Sequence, residues 1–265
     1  MGKYLFDNLK CLSEFKNDKS TAIITDIDGT ISEIAPAPEK ALVTDSMKKE
    51  LIKLKEKFGL LVIISGRSVY SAYKMVGVEG ILYVGNHGLE YLFEGEYSVA
   101  EGVEKYLPAL KQITGELKEE LSDIPGILLE DKGICSSIHY RQCDEPEIAR
   151  ANIINSIKKC AESKNLQVAE GRKLVELKPP LGYDKGFIIH KIIEENDLKK
   201  IIYLGDDITD VDAFQKLKDL KNANEIQSAT ILVLSLEIPK YIKNSASFFV
   251  HDVREVLKFF RWLLY

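Results

Sequence analysis

The chain has 265 residues, 45% of them hydrophobic, with 36 Lys and Arg against 41 Asp and Glu and a formal net charge of −5. That length and apolar content supply a full core for one large domain, or for a domain carrying an insert. An acidic balance argues against a nucleic-acid partner, whose phosphates want a basic face, and no apolar run approaches the roughly 20 residues of a bilayer span, so neither nucleic acid nor membrane is expected as a partner.

The amino terminus, from Met1 to Asp7, lacks the apolar centre and small-residue cleavage site of a signal peptide, so a cytoplasmic location is expected. The first buried strand is read at Ala22-Ile23-Ile24, and it runs directly into Asp26-Ile27-Asp28-Gly29-Thr30. Ser46 to Lys57, with Met47, Leu51 and Leu54 at helical spacing, predicts a helix. A second apolar strand, Leu60 to Ile64, ends in Ser65-Gly66-Arg67, and a short helix is expected over Val69 to Val76. Ile81 to Val84 makes a third strand, followed by Asn86-His87-Gly88-Leu89-Glu90. This alternation of strands and helices is the pattern of an α/β fold with a parallel sheet.

From Gly102 to about Lys178 the pattern changes. A helix through Leu121, strands at Ile127 to Leu129 and Ser136 to Tyr140, a helix from Pro146 to Lys164, and strands at Gln167 to Ala169 and Leu174 to Lys178 predict an α+β insert with a mostly antiparallel sheet. The first pattern then returns. Lys185 heads a helical stretch, Ile201 to Leu204 makes a strand running into Gly205-Asp206-Asp207-Ile208-Thr209-Asp210, and Val253 to Leu264 closes the chain as a helix with Val253, Val256, Leu257 and Phe260 on one face. The expected organisation is a core from residues 1–101 and 181–265 with an inserted domain over 102–180. Cys11, Cys135, Cys143 and Cys160 have no C-x-x-C spacing and are expected as free thiols.

The chemistry concentrates at strand ends. Asp26 and Asp28 are two apart and project the same way from the carboxyl end of a parallel strand, where open α/β sheets build their sites. Asp and Gly also dominate ordinary turns, so this stretch is decisive only in company. A carboxylate such as Asp26 can attack phosphorus and carry the phosphoryl group, while Asp28 serves as general acid and base. Two acids beside a phosphate repel it, which calls for a hard divalent cation such as Mg2+. Ser65, Gly66 and Arg67 can face a phosphate, Lys185 can hold it as a point cation, and Asp206 with its acidic neighbours can complete a metal site.

In that order, Asp-x-Asp-Gly-Thr, Ser-Gly-Arg, an isolated Lys and Gly-Asp-Asp-x-Thr-Asp, the chain resembles the haloacid dehalogenase (HAD) superfamily. Asn86 to Glu90, Glu130-Asp131-Lys132-Gly133, His139-Tyr140-Arg141 and Gly171 to Pro179 resemble more narrowly the trehalose-6-phosphate phosphatase family within it. The similarity extends from about Thr21 to the last helix. It implies a Rossmann-like HAD core with an inserted cap that closes over the sheet's carboxyl edge, and Mg2+-dependent hydrolysis of trehalose 6-phosphate through an aspartyl phosphate. It further implies Asp26 as nucleophile, Asp28 as acid/base, and Ser65 and Lys185 on the transferring phosphoryl group. Asp26, the backbone carbonyl of Asp28, and Asp206 would hold the metal, with Asp210 or Asp207 in support. Gly66, Arg67, Asn86, His87, Glu130, Lys132, His139, Arg141, Glu176 and Lys178 are the implied substrate contacts, the cap members reaching sugar hydroxyls. Two positions depart from the family's habit: Val211 stands where an acid is more frequent, and Lys178 where Arg is usual. A trehalose-6-phosphate synthase is the implied pathway partner, with no indication in the residues of physical contact. Alternatives that keep the core chemistry are a phosphatase for sucrose phosphate or mannosyl-3-phosphoglycerate, a phosphosugar mutase, and a sugar-phosphate sensor without turnover.

Overall fold

The computed structural model describes residues 2–161, 164–171, 173–235 and 240–265. In chain order the strands are β1 (Lys3–Tyr4), β2 (Thr21–Thr25), β3 (Leu60–Ile64), β4 (Leu82–Gly85), β5 (Glu90–Phe93), β6 (Glu96–Val99), β7 (Leu128–Asp131), β8 (Ser136–His139), β9 (Gln167–Gly171), β10 (Leu174–Lys178), β11 (Lys200–Gly205), β12 (Gln227–Val233) and β13 (Phe248–Val250). The α-helices are α1 (Asp45–Lys57), α2 (Val69–Val76), α3 (Leu107–Glu120), α4 (Pro146–Ala161), α5 (Lys185–Glu195), α6 (Thr209–Asn222) and α7 (Val253–Leu264). The chain divides into two compact units, one of residues Met1–Ser98 with Tyr183–Tyr265 and the other of Val99–Gly182.

The first unit is built on a nine-stranded sheet in the order β1-β13-β12-β11-β2-β3-β4-β5-β6. Pairing is parallel from β1 across to β4 and antiparallel between β4 and β5. Alternation along each central strand explains why both faces are apolar. Ile23, Leu61 and Ile63 enter one core with Met47, Leu51 and Leu54 of α1, Val69, Ala72 and Val76 of α2, and Val256, Phe259 and Phe260 of α7. Ala22, Ile24, Val62 and Ile64 enter the opposite core with Ile188, Ile189 and Ile192 of α5 and Ala213, Phe214 and Leu217 of α6. With helices on both faces, the strand ends are where polar groups can gather.

Helix starts carry their own local reasons. Thr44, Ser68, Asp184 and Asp252 each accept a backbone N–H from the first turn of α1, α2, α5 and α7, satisfying donors that have no partner inside the helix. Gly77 ends α2 at φ 64.

The hairpin of β5 and β6 is absent from the sequence reading, which has no strand between Val84 and the insert. Its two-residue turn places Glu94 at φ 50 and Gly95 at φ 86. Glu-Gly is a weaker turn signal than Asn-Gly or Asp-Gly because Glu enters the left-handed region less readily, and the turn therefore hides in the sequence.

The second unit holds a four-stranded sheet, β7-β8-β10-β9, antiparallel at every junction. Ile138, Val175 and Leu177 pack against Leu110, Ile113 and Leu117 of α3 and Ile153 and Ile157 of α4. Thr114 and Ser136 share a buried 2.5 Å hydrogen bond within that layer. Helix α4 ends at Ala161; part of the predicted extension toward Lys164 lies outside the described residues, as does Arg172 of the Gly171 to Pro179 motif. Cys11, Cys135 and Cys143 are free thiols, and the side chain of Cys160 is outside the described set. No described helix is long and apolar enough to cross a membrane.

Candidate active site

Two strand ends of the large sheet, those of β2 and β11, assemble the acidic centre with the start of α5. Asp26 follows β2 directly, and its N–H donates to the carbonyl of Leu204 in β11 at 3.0 Å, so the two strands present their carboxyl ends together. Lys185, the first residue of α5, is 2% exposed and reaches Asp26 Oδ1 at 3.3 Å and Asp210 Oδ1 at 2.6 Å. Asp26, Asp206 and Asp210 are all buried, and one carboxylate oxygen from each lies within 4.8 Å of the others. Gly29, at φ 83, is obligatory for this packing: a Cβ there would collide with the Asp206 carboxylate.

Asp210 is saturated by its neighbours. Its Oδ1 accepts from Lys185 Nζ and, at 2.5 Å, from the Tyr203 hydroxyl, while its Oδ2 accepts the backbone N–H groups of Asp206 at 3.0 Å and Asp207 at 2.9 Å. A carboxylate with four donors is a brace: it fixes the loop carrying Asp206 and aims Lys185. Burial raises the Tyr203 phenol well above its ordinary pKa, with the Asp210 charge adding to it, so Tyr203 is purely a donor at neutral pH. Burial also pushes the Asp26 carboxyl up to about 7; Lys185 pulls it down, and Asp210 and Asp28 push it up. For Lys185 burial works against the charge, but Asp210 and Asp26 outweigh it and hold the ammonium's pKa above the ordinary lysine range.

Next to this centre, Ser65 is buried at the end of β3, with its N–H on Val84 O at 2.9 Å and its hydroxyl accepting Arg67 N–H at 3.2 Å. Arg67 forks onto Asp28, Nε to Oδ2 and Nη2 to Oδ1 both at 2.7 Å, and Nη2 also donates to Pro38 O at 3.1 Å. Asn86 and His87 sit at φ 47 and 55, a turn that lets Asn86 N–H donate to Arg67 O at 2.8 Å and His87 N–H to Ser65 O at 3.1 Å. The His87 ring lies where a Cβ on Gly66 would fall, 2.6 Å from its Nε2, so Gly66 is required for the two loops to interlock. Buried Glu90 accepts from Asn86 Nδ2 at 2.6 Å, Val69 N–H at 2.8 Å and Tyr97 Oη at 3.1 Å. That carboxylate locks the turn to the start of α2, where the helix dipole favours a negative charge.

In the second unit, register explains the polar face. Glu130 pairs with Ser137, and Ser137 with Glu176, so the three side chains form a row across β7, β8 and β10, with His139 two residues along. The alternate positions, Ile138, Val175 and Leu177, are those that meet the helices. Glu176 Oε1 accepts from Ser137 Oγ at 3.2 Å and Lys132 Nζ at 3.4 Å, and Cys135 Sγ lies 3.8 Å away. His139 Nε2 and Glu130 Oε2 are 3.1 Å apart. Burial disfavours the Lys132 charge, yet Glu176 raises its pKa overall. Arg141 lies in the turn after β8, and Lys178, half-buried, closes β10.

The structure thus gathers Asp26, Asp28, Ser65, Gly66, Arg67, Asn86, His87, Lys185, Asp206 and Asp210 in the first unit, and Glu130, Lys132, His139 and Glu176 in the second, to which Arg141 and Lys178 also belong. Two contributors escaped the sequence reading. Tyr203 sits inside an apolar strand and reads as core, although a polar-tipped residue among isoleucines is itself a hint; Glu90 passes as the end of a turn motif.

The chain is similar to known proteins over most of its length. The trehalose-phosphatase family model matches residues 24–254. The trehalose-phosphate phosphatase of Mycobacterium avium (strain 104) is 33% identical over 218 residues, covering 80% of this chain and 54% of its own length. The chain spans about half the length of the mycobacterial relatives it first matches. Among solved structures, the C-terminal domain of the C. albicans trehalose-6-phosphate phosphatase superposes with a TM-score of 0.79 at 22% identity, over 99% of this chain and 98% of that one. A haloacid dehalogenase-like hydrolase from Bacteroides thetaiotaomicron has a TM-score of 0.60 at 15% identity, covering 92% and 99%. These likenesses show the fold to be that of the HAD hydrolases.

Proposed function

We propose, from the premise that this chain belongs to the trehalose-phosphatase family, that it hydrolyses trehalose 6-phosphate to trehalose and phosphate. The observation that carries the reading is the buried Asp26–Lys185–Asp210 cluster at the strand ends of a chain whose family match spans both units. Asp26 is the nucleophile. One of its oxygens bonds to phosphorus, the phosphorus–oxygen bond to the sugar breaks, and the proton on Asp28 passes to the departing sugar oxygen. In the second half, a water oxygen bonds to phosphorus, its proton passes to Asp28, and the bond to Asp26 breaks. Ser65 and Lys185 hold the phosphoryl oxygens in both halves.

The donor set suits Mg2+: hard carboxylate oxygens within 4.8 Å, one ammonium among three acids, and a loop in which Gly29 leaves room for Asp206. Asp26, the Asp28 carbonyl and Asp206 would hold the ion, and Asp210, occupied by four protein donors, supports them. When bound, the ion neutralises the charge of carboxylates and phosphate so that one anion can approach another. Glu130, Lys132, His139, Arg141, Glu176 and Lys178 make the inserted unit the reader of sugar hydroxyls; a charged row of this kind rejects a substrate that leaves its members unpaired.

The test is phosphate release from trehalose 6-phosphate, glucose 6-phosphate, sucrose 6-phosphate and mannosyl-3-phosphoglycerate, with Mg2+ or EDTA. Turnover greatest on trehalose 6-phosphate and abolished by EDTA supports the reading. Preference for another ester discards the sugar assignment, and an isomeric sugar phosphate as product would make the protein a mutase.

A further inference from the structure

Arg67 belongs to the Ser65-Gly66-Arg67 turn that sequence logic lets face a phosphate, yet its guanidinium is engaged elsewhere. Both oxygens of Asp28 accept from it at 2.7 Å, and its Nη2 also reaches Pro38 O. Its side chain is 13% exposed, whereas that of Asp28 is 37% exposed. The backbone of Arg67 is pinned on both sides, its N–H by Ser65 Oγ and its carbonyl by Asn86 N–H. Asp28 belongs to a turn closed by the Gly29 N–H to Ser32 O bond at 2.8 Å, and a half-exposed aspartate there would otherwise sample several rotamers.

We propose that Arg67 is the positioning residue for the acid/base carboxylate, holding Asp28 in one orientation, and that it is not a phosphate ligand. The inference rests on the roles given above to Asp26 and Asp28. A planar fork fixes a carboxylate in direction as well as distance, which a single ammonium cannot do. Asp28 must deliver a proton to the sugar oxygen and take one from water, and both transfers depend on its being within hydrogen-bond reach of the same point. When Asp28 carries the proton, one arm of the fork lets go; the other arm and the Pro38 contact keep the guanidinium in place. The same residue links the loop of Ser65 to the loop of Asp28, so the group that holds the phosphoryl oxygens and the group that moves the proton share one frame.

Leaving-group dependence separates this role from phosphate binding. A sugar alkoxide leaves poorly without a proton, whereas p-nitrophenolate leaves without one. Arg67→Ala and Arg67→Lys are assayed with Mg2+ on trehalose 6-phosphate, glucose 6-phosphate and p-nitrophenyl phosphate, beside Asp28→Asn. In single-turnover release of the leaving group, the half in which Asp28 acts as an acid, Arg67→Ala should be slower on the sugar esters on the order of 10²-fold, the scale of general acid catalysis, with little change in KM and less than about a threefold change on the aryl ester. Arg67→Lys, keeping the charge and losing the fork, should recover only part of the loss. The double variant should be no slower than Asp28→Asn, as expected of residues acting as one unit. Equal losses on sugar and aryl esters, a raised KM on both, or no loss on either would overturn the proposal. If glucose 6-phosphate shows the selective loss while trehalose 6-phosphate is not a substrate, the sugar assignment fails and the role of Arg67 stands. A wild type that hydrolyses only the aryl ester has no use for Asp28 as an acid, and both fall together.

Discussion

The two sheets of this protein put their chemistry in different places. The large sheet is parallel through its centre and covered by helices on both faces, so its polar residues collect where strands end: Asp26 after β2, Ser65 after β3, Asp206 after β11. The small sheet is antiparallel with its helices against one face, so its polar residues stand along the strands, alternating with the core: Glu130, Ser137, His139 and Glu176 on one side, Ile138, Val175 and Leu177 on the other. A strand end presents one or two residues and a backbone turn, which suits a compact centre of high charge. A sheet face presents a two-dimensional array, which suits hydroxyls spread across a sugar. Under the proposed function, layer architecture alone separates reaction from recognition.

Substitutions can break or sharpen that contrast. Asp26→Asn should abolish phosphate release from sugar and aryl esters alike, on the order of 10⁴-fold or more, because no other group replaces the nucleophile; residual turnover near wild type in a steady-state assay would remove Asp26 from its role. Lys185→Met should disable the same centre and also destabilise the fold by about 3–5 kcal/mol, since it strands buried carboxylates, as measured by urea unfolding. Glu176→Gln should behave differently: kcat/KM on the sugar ester falls by about 1.5–3 kcal/mol equivalent, while p-nitrophenyl phosphate, which offers no sugar, is hydrolysed as before. If the aryl ester suffers equally, the sheet face is not a reader of the sugar.

The smallest effect concerns an anchor at the start of β2. Lys200 and the Ser20 N–H lower the Asp18 carboxyl to about 2. Because the folded value lies below the unfolded one, near 3.9, the contribution is complete above about pH 4 and is lost as pH falls toward 2. Asp18→Asn should cost about 1 kcal/mol at pH 7 after allowing for solvent screening. Denaturation curves of variant and wild type should converge near pH 2, and parallel loss across the whole range would contradict this account.

The sequence by itself determined the α/β pattern, the insert and the strand ends at which the candidate residues fall, because a parallel strand buried on both faces is a short apolar run and its end is marked by Asp, Gly and Ser. Helix α2 is legible to the residue for the same kind of reason: Ser68 begins it and Gly77 stops it. Which partner each acid takes was not legible. Asp28 and Asp210 look alike in sequence, and only the folded chain brings Arg67 onto one from 39 positions away and Lys185 onto the other from 25. Tyr203 reads as core until its hydroxyl is seen on Asp210, and Glu90 as a turn residue until it is seen bridging Asn86 and α2. Hydrophobic period and turn chemistry are local properties written along the chain; the partner of a buried charge is a property of tertiary distance, which burial makes strong and sequence separation leaves unwritten.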